Sequence, residues 1–266
     1  MRKALIAYFT GTGNTWFLAD CLAKELRDKS IQTDITALEH INKVDLSTCD
    51  LLGLGFPVYA GCIPYNVWGF VRRLKPVAGK RAFVFSTKAQ ATAGSESLLA
   101  RLLILKGYRV LAARSFIAPS NETLLFGPED VTRPEVRAKL ERLRHRVPGF
   151  VERMLSGNGV IEKNNTFMLL SSILSGFSFY LSTGYVSNLL VTDDCTRCGL
   201  CEQICPAGNI LSSLTRPRFR NRCVVCERCV SFCPEKAIVH PVTFVRTSLR
   251  YRVPGYTPPV LRKPTG

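Results

Sequence analysis

Apolar runs of strand type alternate with amphipathic helical patterns over the first 160 residues of this 266-residue chain. The strand-like runs cover residues 3–9, 31–36, 50–56, 81–86 and 108–117, and the helical patterns cover 15–29, 64–75, 95–106 and 133–155. Pro148 and Gly149 predict a break in the last of these helices. Strands that alternate with helices in this way predict a parallel α/β sheet.

The rest of the chain lacks this alternation. The segment between Phe167 and Leu190 carries no charged residue, and a basic, proline-containing stretch begins near Arg250. The uncharged segment is long enough to span a membrane, but its serines, glycines and tyrosines favour a helix packed in a seam between domains. We therefore predict an α/β domain at 1–160, an apolar connection at 161–190, a small domain at 191–242 and a basic tail at 243–266. The tail is expected to wrap over a domain or to reach a partner.

Eight of the eleven cysteines form two runs with one spacing, C-x2-C-x2-C-x3-C-P. The first run is Cys195, Cys198, Cys201 and Cys205, and the second, offset by 28 residues, is Cys223, Cys226, Cys229 and Cys233. This spacing is typical of proteins with two 4Fe–4S clusters, in which the fourth cysteine of each run ligates the other cluster. We therefore expect one cluster on Cys195, Cys198, Cys201 and Cys233, and the other on Cys223, Cys226, Cys229 and Cys205.

Two other uses of these cysteines fit the pattern less well. A structural zinc site usually has two C-x2-C pairs separated by a loop, rather than triplets with a fourth cysteine before proline. A disulfide framework is typical of short secreted chains. The other three cysteines, Cys21, Cys49 and Cys62, are scattered and are expected to be small buried hydrophobic side chains.

A loop rich in glycine and threonine follows the first predicted strand. It consists of Thr10, Gly11, Thr12, Gly13, Asn14 and Thr15, and a helical pattern begins where it ends. Backbone N–H groups at a helix N-terminus, together with threonine hydroxyls, bind phosphate. The loop lacks the Gly-Lys-Ser/Thr of a nucleotide P-loop, and Trp16 stands where a dinucleotide fingerprint has its third glycine. The alternative is an ordinary strand-to-helix turn with a capping side chain.

The motif T-x-T-G-N-T resembles the phosphate loop of flavodoxins, which holds the 5′-phosphate of FMN. Two later loops resemble the same family: Pro57, Val58, Tyr59, Ala60 and Gly61 follow the third strand, and Thr87, Lys88, Ala89 and Gly94 follow the fourth. The resemblance implies a doubly wound five-stranded sheet in the order 2-1-3-4-5, with FMN at the switch point between strands 1 and 3. It also implies that Tyr59 stacks on the flavin ring. The third loop departs from the family pattern because it keeps a single glycine.

The whole chain resembles the flavodoxin–ferredoxin fusion family of anaerobic bacteria and archaea, in which a flavodoxin-like domain precedes a small α+β two-cluster ferredoxin domain. The resemblance implies an electron-transfer protein that passes electrons between two 4Fe–4S clusters and FMN, and on to a redox partner. Two alternatives remain: a flavin-dependent reductase of a small substrate, or a docking subunit of a larger redox complex. No catalytic residue is assigned, because His40, His145 and His240 lie outside the flavin loops.

The chain is strongly basic, with 36 Lys and Arg against 20 Asp and Glu and a formal net charge of +16. Bound clusters and FMN would reduce this charge to roughly +10. Since no nucleic-acid-binding signature accompanies the charge, we expect an acidic redox protein as partner and no nucleic acid. The uncharged segment and the basic tail are candidates for docking to a membrane surface or a larger complex.

Three arginines, Arg197, Arg222 and Arg228, lie within or beside the cysteine runs. If they are close to the clusters, they favour the reduced, more negative state. The alternative is that they are solvated docking charges. The start of the chain shows no signal-peptide pattern, which predicts a cytoplasmic location, with association at a membrane surface left open.

Overall fold

A computed structural model describes residues 2–89, 94–123, 127–161, 174, 189–211, 216–240 and 249–262 of the chain. Contacts within the chain define two compact units. The first comprises Met1–Thr10, Asn14–Ala118 and Ala138–Phe177, and the second comprises Gly11–Gly13, Pro119–Arg137 and Ser178–Gly266.

A five-stranded parallel sheet forms the centre of the first unit. Its strands are β1 (Lys3–Tyr8), β2 (Gln32–Ala37), β3 (Leu51–Pro57), β4 (Arg81–Lys88) and β5 (Arg109–Ile117), in the order β2-β1-β3-β4-β5. All neighbouring pairs are parallel. The predicted flavodoxin-like fold class is therefore confirmed, and the ends of the predicted strands differ from the observed ones by at most two residues.

Four helices accompany the sheet: α1 (Asn14–Asp28), α2 (Tyr65–Arg73), α3 (Ser95–Leu105) and α4 (Pro134–Leu155). Two short 3₁₀ helices, Leu38–Lys43 and Leu46–Thr48, lie between β2 and β3. The predicted break in the last helix is wrong, because α4 continues through Pro148. Pro148 is exposed, so water can satisfy the carbonyl that loses its helical donor. Its neighbours Val147 and Phe150 are buried and hold the helix in place.

A hydrophobic cluster joins α1 and α4 to the sheet. The ring of Phe150 in α4 packs edge-on against Phe116 in β5 and Phe83 in β4, with ring centroids 5.5 and 6.2 Å apart. Gly53 and Gly55 pair with Phe83 and Phe85 along β3 and β4, and a Cβ atom at either glycine would overlap the neighbouring ring. The glycines of this apolar strand therefore make room for two phenylalanine rings.

The cysteine-rich part of the second unit contains only short elements. They are β6 (Leu190–Val191), α5 (Leu200–Gln203), β7 (Ile210–Leu211), β8 (Arg218–Phe219), α6 (Arg228–Phe232) and β9 (Ile238–Val239). Strand β6 pairs with β9 and β7 pairs with β8, both antiparallel. A small hydrophobic cluster of Leu189, Val230 and Ile238 lies among them. These short strands and helices confirm the predicted small α+β region.

The predicted apolar connection lies almost entirely outside the described residues, which include only Leu174, Leu189 and Leu190 from the uncharged segment. Its expected packing in a seam, and the domain boundaries drawn around it, stay predictions. Within the described ranges, no helix has the length and apolar character needed to cross a membrane.

Replacing Phe150 by alanine is expected to lower the free energy of unfolding of the first unit by about 3–5 kcal/mol, because a buried ring with two aromatic contacts is lost. Chemical denaturation followed by tryptophan fluorescence measures this, since the chain's two tryptophans, Trp16 and Trp68, both belong to that unit. Leu105→Ala is the control: Leu105 is 83% exposed, and its loss should change stability by less than about 0.5 kcal/mol. Equal losses in the two variants would contradict the described core.

Candidate functional site

Two cavities in the second unit are each lined by four cysteines. Cavity one is lined by Cys195, Cys198, Cys201 and Cys233. Cavity two is lined by Cys205, Cys223, Cys226 and Cys229. Each cavity therefore combines three cysteines of one run with the fourth cysteine of the other run. The remaining cysteines, Cys21, Cys49 and Cys62, are buried and line neither cavity.

The two cysteine runs share a backbone conformation as well as a spacing. Arg197, Gly199 and Gly208 have positive φ angles of 58°, 71° and 60°. The residues 28 positions later, Val225, Glu227 and Lys236, have φ angles of 51°, 59° and 52°. Residues other than glycine rarely adopt this left-handed backbone conformation, because it costs them about 1–2 kcal/mol each. The repeated conformation shows that the chain wraps each cavity in the same way.

Backbone N–H groups point at three of the cysteine sulfurs. The N–H of Asn209 donates to Cys205 Sγ at 3.2 Å, and the N–H groups of Val225 and Ala237 donate to the sulfurs of Cys223 and Cys233, both at 3.3 Å. Such donors stabilise negative charge on a thiolate-ligated centre and raise its reduction potential. The cavities therefore supply both the thiols and the hydrogen bonds that an iron–sulfur cluster needs.

In the described part of the chain, no group of three or more His, Cys, Asp or Glu side chains is arranged to hold a single metal ion.

Burial raises the pKa values of the cavity thiols. Desolvation raises the pKa of Cys201 to about 12 and, in cavity two, the pKa values of Cys223 and Cys226 to about 11 and about 12. The pKa of Cys229 is also raised well above its usual value, again mainly by desolvation. These thiols hold their protons at neutral pH until a cationic metal centre displaces them.

A buried carboxylate lies next to the cysteines of cavity two. Glu227 follows Cys226 directly, and its Oε1 lies 3.0 Å from Nε2 of His240. The hydroxyl of Thr123 donates to the other carboxylate oxygen at 2.7 Å. His240, Glu227 and Thr123 are all buried, and the sequence predicted a site role for none of them.

The residue after Glu227 in the sequence, Arg228, is a buried cation. Arg228 lines cavity two, is 1% exposed, and donates from its guanidinium to the carbonyl of Ile204 at 3.0 Å. The equivalent positions of the first run hold Gly199 and Leu200, so this pair of buried charges has no counterpart in the first run. Arg197 and Arg222, by contrast, are exposed. Of the three arginines near the cysteine runs, Arg228 alone is buried against a cavity.

The loop predicted to bind phosphate follows β1 and is buried. Thr10, Thr12 and Thr15 are at most 2% exposed. The hydroxyl of Thr15 lies 2.8 Å from that of Thr87 at the end of β4, so these two loops are hydrogen-bonded to each other. Within the second unit, the N–H of Val253 in the C-terminal tail donates to the carbonyl of Thr12 at 2.9 Å.

The second predicted loop follows β3 and makes a tight turn. Tyr59 and Cys62 exchange backbone hydrogen bonds of 3.2 and 2.8 Å, and the residues between them, Ala60 and Gly61, both have positive φ angles. The Tyr59 side chain is half-buried. The hydroxyl of Ser95 at the start of α3 donates to the carbonyl of Gly61 at 2.6 Å, which anchors the turn.

The third predicted loop follows β4, but residues 90–93 lie outside the described residues. The N–H of Val58 donates to the carbonyl of Thr87 at 2.9 Å, which joins the second and third loops. Lys88 is half-buried, Ala89 is exposed, and Gly94 precedes α3 with a φ of 80°. All three loops thus begin at the carboxyl ends of parallel strands, which is the edge where open α/β sheets bind ligands.

Gly13→Ala is expected to weaken FMN binding by about tenfold or more, which corresponds to about 1.4 kcal/mol. Gly13 has a φ of +113°, and a Cβ there would lie 2.8 Å from Val253 Cβ and 2.9 Å from Tyr256 Cβ, so the loop must shift. Quenching of flavin fluorescence measures the affinity. Gly79→Ala is the control, because Gly79 also has a positive φ but no atom lies within 4 Å of the added Cβ. Equal affinity in the Gly13 variant and the unmodified protein would contradict this role of Gly13.

Two family models match the chain. The flavodoxin domain matches residues 5–103, which include all three predicted flavin loops. The 4Fe–4S dicluster domain matches residues 194–238, which include all eight clustered cysteines. A flavodoxin domain implies FMN, and a 4Fe–4S dicluster domain implies an iron–sulfur cofactor. No curated protein matches the chain.

Several solved structures align with part of the chain. A flavodoxin from the domain Archaea is 16% identical, with 57% of this chain and 98% of that chain covered and a TM-score of 0.41. Flavodoxin 2 from Bacillus cereus is 21% identical, with 57% and 99% covered and a TM-score of 0.42. Rubredoxin oxygen:oxidoreductase from Desulfovibrio gigas is 16% identical, with 60% and 38% covered and a TM-score of 0.42. The two family matches and the sheet order show that the chain contains a flavodoxin domain followed by a 4Fe–4S dicluster domain.

Proposed function

We propose that this protein transfers electrons between two 4Fe–4S clusters and FMN within one chain, and between that chain and a redox partner. The observation that carries the proposal is the presence of two four-cysteine cavities in a chain that also contains a flavodoxin domain. When bound, the clusters exchange single electrons and FMN exchanges one or two.

In this proposal the residues have distinct roles. The four cysteines of each cavity ligate one cluster, and the N–H groups of Asn209, Val225 and Ala237 stabilise the negative charge on the sulfurs. The loop from Thr10 to Thr15 binds the FMN phosphate through backbone N–H groups and hydroxyls. Tyr59 packs against the flavin ring.

The buried charges at cavity two act on the reduction potential of its cluster. Arg228 places a permanent positive charge in a water-poor site, which favours the more negative reduced state. The carboxylate of Glu227 acts in the opposite direction, and its hydrogen bonds to Thr123 and His240 keep it in place. Because the first run has glycine and leucine at these positions, the two clusters are expected to differ in potential.

The experiment that tests the proposal is anaerobic purification followed by iron, sulfide and flavin analysis. About eight iron atoms, eight sulfides and one FMN per chain are expected for two clusters and one flavin. Rapid-mixing kinetics of the reduced protein should then show electron exchange between clusters and FMN, with cluster signals followed by EPR. About four iron atoms per chain, or clusters and FMN that never exchange electrons, would overturn the proposal.

The same preparation separates the two alternatives that the sequence raises. Turnover of a small acceptor by the isolated monomer would favour a flavin-dependent reductase. Stable co-purification with other subunits or with membranes would favour a docking subunit of a larger redox complex.

Arg228→Met and Glu227→Gln are expected to shift the potential of the cavity-two cluster in opposite directions, by tens of millivolts. Loss of the cation disfavours the reduced state and lowers the potential, whereas loss of the carboxylate raises it. Redox titration followed by EPR measures both clusters in one sample. Arg222→Met is the matched control, since Arg222 is also next to a cavity-two cysteine but is exposed to screening solvent. Shifts of the same sign in the two buried-charge variants would refute the electrostatic explanation.

A further inference from the structure

Four arginines alternate with other residues over the segment 216–222, whose sequence is RPRFRNR. This segment, which we call the arginine strand, contains β8 and ends at the residue before Cys223. The side chains of Arg216, Arg218, Arg220 and Arg222 are all exposed. The residues between the first three arginines, Pro217 and Phe219, are half-buried, so the arginines form the outward, solvent-exposed side of the segment.

The inward face of the arginine strand meets both cysteine cavities. Pro217 lines cavity one, and Phe219 lines cavity two. Phe219 also packs against the small hydrophobic cluster of Leu189, Val230 and Ile238. The exposed arginines are therefore direct chain neighbours of residues that line the two cavities.

The arginine strand is tied to the cavity by hydrogen bonds. Asn209, which is 2% exposed, accepts hydrogen bonds from the N–H groups of Arg220 and Arg222 at 2.7 and 2.8 Å, through its carbonyl and side-chain oxygens respectively. The N–H of Asn209 in turn donates to Cys205 Sγ at 3.2 Å. Ile210 in β7 pairs with Phe219 in β8. The position of the arginines relative to cavity two is thus set by the backbone.

Part of this positive charge is available to a partner. Arg216 pairs with the carboxylate of Asp193 and donates to the carbonyl of Val191 at 3.0 Å. For the side chains of Arg218 and Arg220, the described residues offer no ion-pair partner. Charges of this kind at the rim of an interface steer association and determine its salt dependence.

We propose that the arginine strand is the docking surface for an acidic redox protein that exchanges electrons with the cluster of cavity two. The inference rests on the proposed function and adds the site and chemistry of the partner. In each encounter one electron passes from the reduced centre of one protein to the oxidised centre of the other, and no proton or covalent bond is exchanged. The partner presents carboxylates around its own redox centre, which places the two centres close together.

Two other polyanions fit the arginine strand less well. Single-stranded nucleic acid is usually bound with exposed aromatic side chains that stack on bases, but the one aromatic residue of the strand, Phe219, lines a cavity. Binding at a lipid surface is strengthened by apolar side chains that insert between lipids, and within the arginine strand no large hydrophobic residue is exposed. Neither polyanion is an electron carrier, whereas the arginines belong to a segment whose residues Pro217 and Phe219 line the cavities proposed to bind clusters.

The test uses the anaerobically purified full chain and an acidic two-cluster ferredoxin as the probe. Stopped-flow mixing gives the second-order rate constant for electron exchange as a function of salt. In Arg218→Glu/Arg220→Glu, the rate constant at low salt should fall by about tenfold or more, and the difference should shrink at about 0.5 M salt. Binding of the oxidised proteins, measured by calorimetry, should weaken in parallel. The charge-conserving variant Arg218→Lys/Arg220→Lys should retain most of the rate constant at low salt and most of the binding affinity.

The matched control is Arg142→Glu/Arg146→Glu on the exposed face of α4, which changes the net charge by the same amount. Its rate constant should stay within about twofold of that of the unmodified protein if docking is local. An equal fall in both charge-reversal variants, or no fall in either, would overturn the proposal. The proposal would also be overturned if binding of the chain to anionic vesicles or to an oligonucleotide depended on Arg218 and Arg220 while the rate constant for electron exchange did not.

Failure of the docking surface can be told apart from failure of the proposed function. Iron content, cluster EPR signals and electron exchange between clusters and FMN are measured in the same samples. If these are intact and the ferredoxin reacts equally with all variants, the docking inference alone is wrong. If the clusters are absent or exchange no electrons with FMN, the proposed function fails.

Discussion

Eight thiols in a short stretch of chain must be brought around two cavities, and the rest of the second unit depends on this constraint. Each run contributes three cysteines to one cavity and its fourth to the other, so neither cavity can be completed by one run alone. The left-handed residues at equivalent positions of both runs, including Glu227 and Arg197, are a consequence of wrapping the chain tightly around each cavity. The described hydrophobic cluster of Leu189, Val230 and Ile238 packs against Cys201, Cys229 and Cys233, so the apolar packing of this region involves the cavity-lining cysteines themselves.

The electrostatics of the cysteine-rich region are not symmetrical. Its two halves share spacing and backbone conformation, yet Gly199 and Leu200 in one correspond to Glu227 and Arg228 in the other. A further asymmetry is the run of exposed arginines that covers the strand before Cys223. A duplicated scaffold can therefore hold two centres with different potentials and different access to a partner, through changes in a few charged side chains.

Much of the fold could be predicted from the sequence because hydrophobic periodicity is a local signal. The five strands and their order followed from the apolar runs and the flavodoxin-like loops, and the ends were off by at most two residues. The break expected at Pro148 was wrong, because α4 is held against the sheet by buried neighbours such as Phe150, a contact that local propensity does not contain. The packing of the uncharged segment at 167–190 in a seam between domains stays a prediction.

The sequence by itself determined which residues could carry the chemistry. Cysteine spacing is specific enough to indicate clusters, and the order of the loops after the strands indicates a flavin-binding edge. Only the tertiary structure decided which charges are buried. Arg228, Arg222 and Arg197 look alike in the sequence, but one is buried and two are exposed, and the partners of Glu227 lie 13 and 104 residues away along the chain. Burial and long-range hydrogen bonds arise from packing between distant segments, and packing determines how strongly a charge acts on its surroundings.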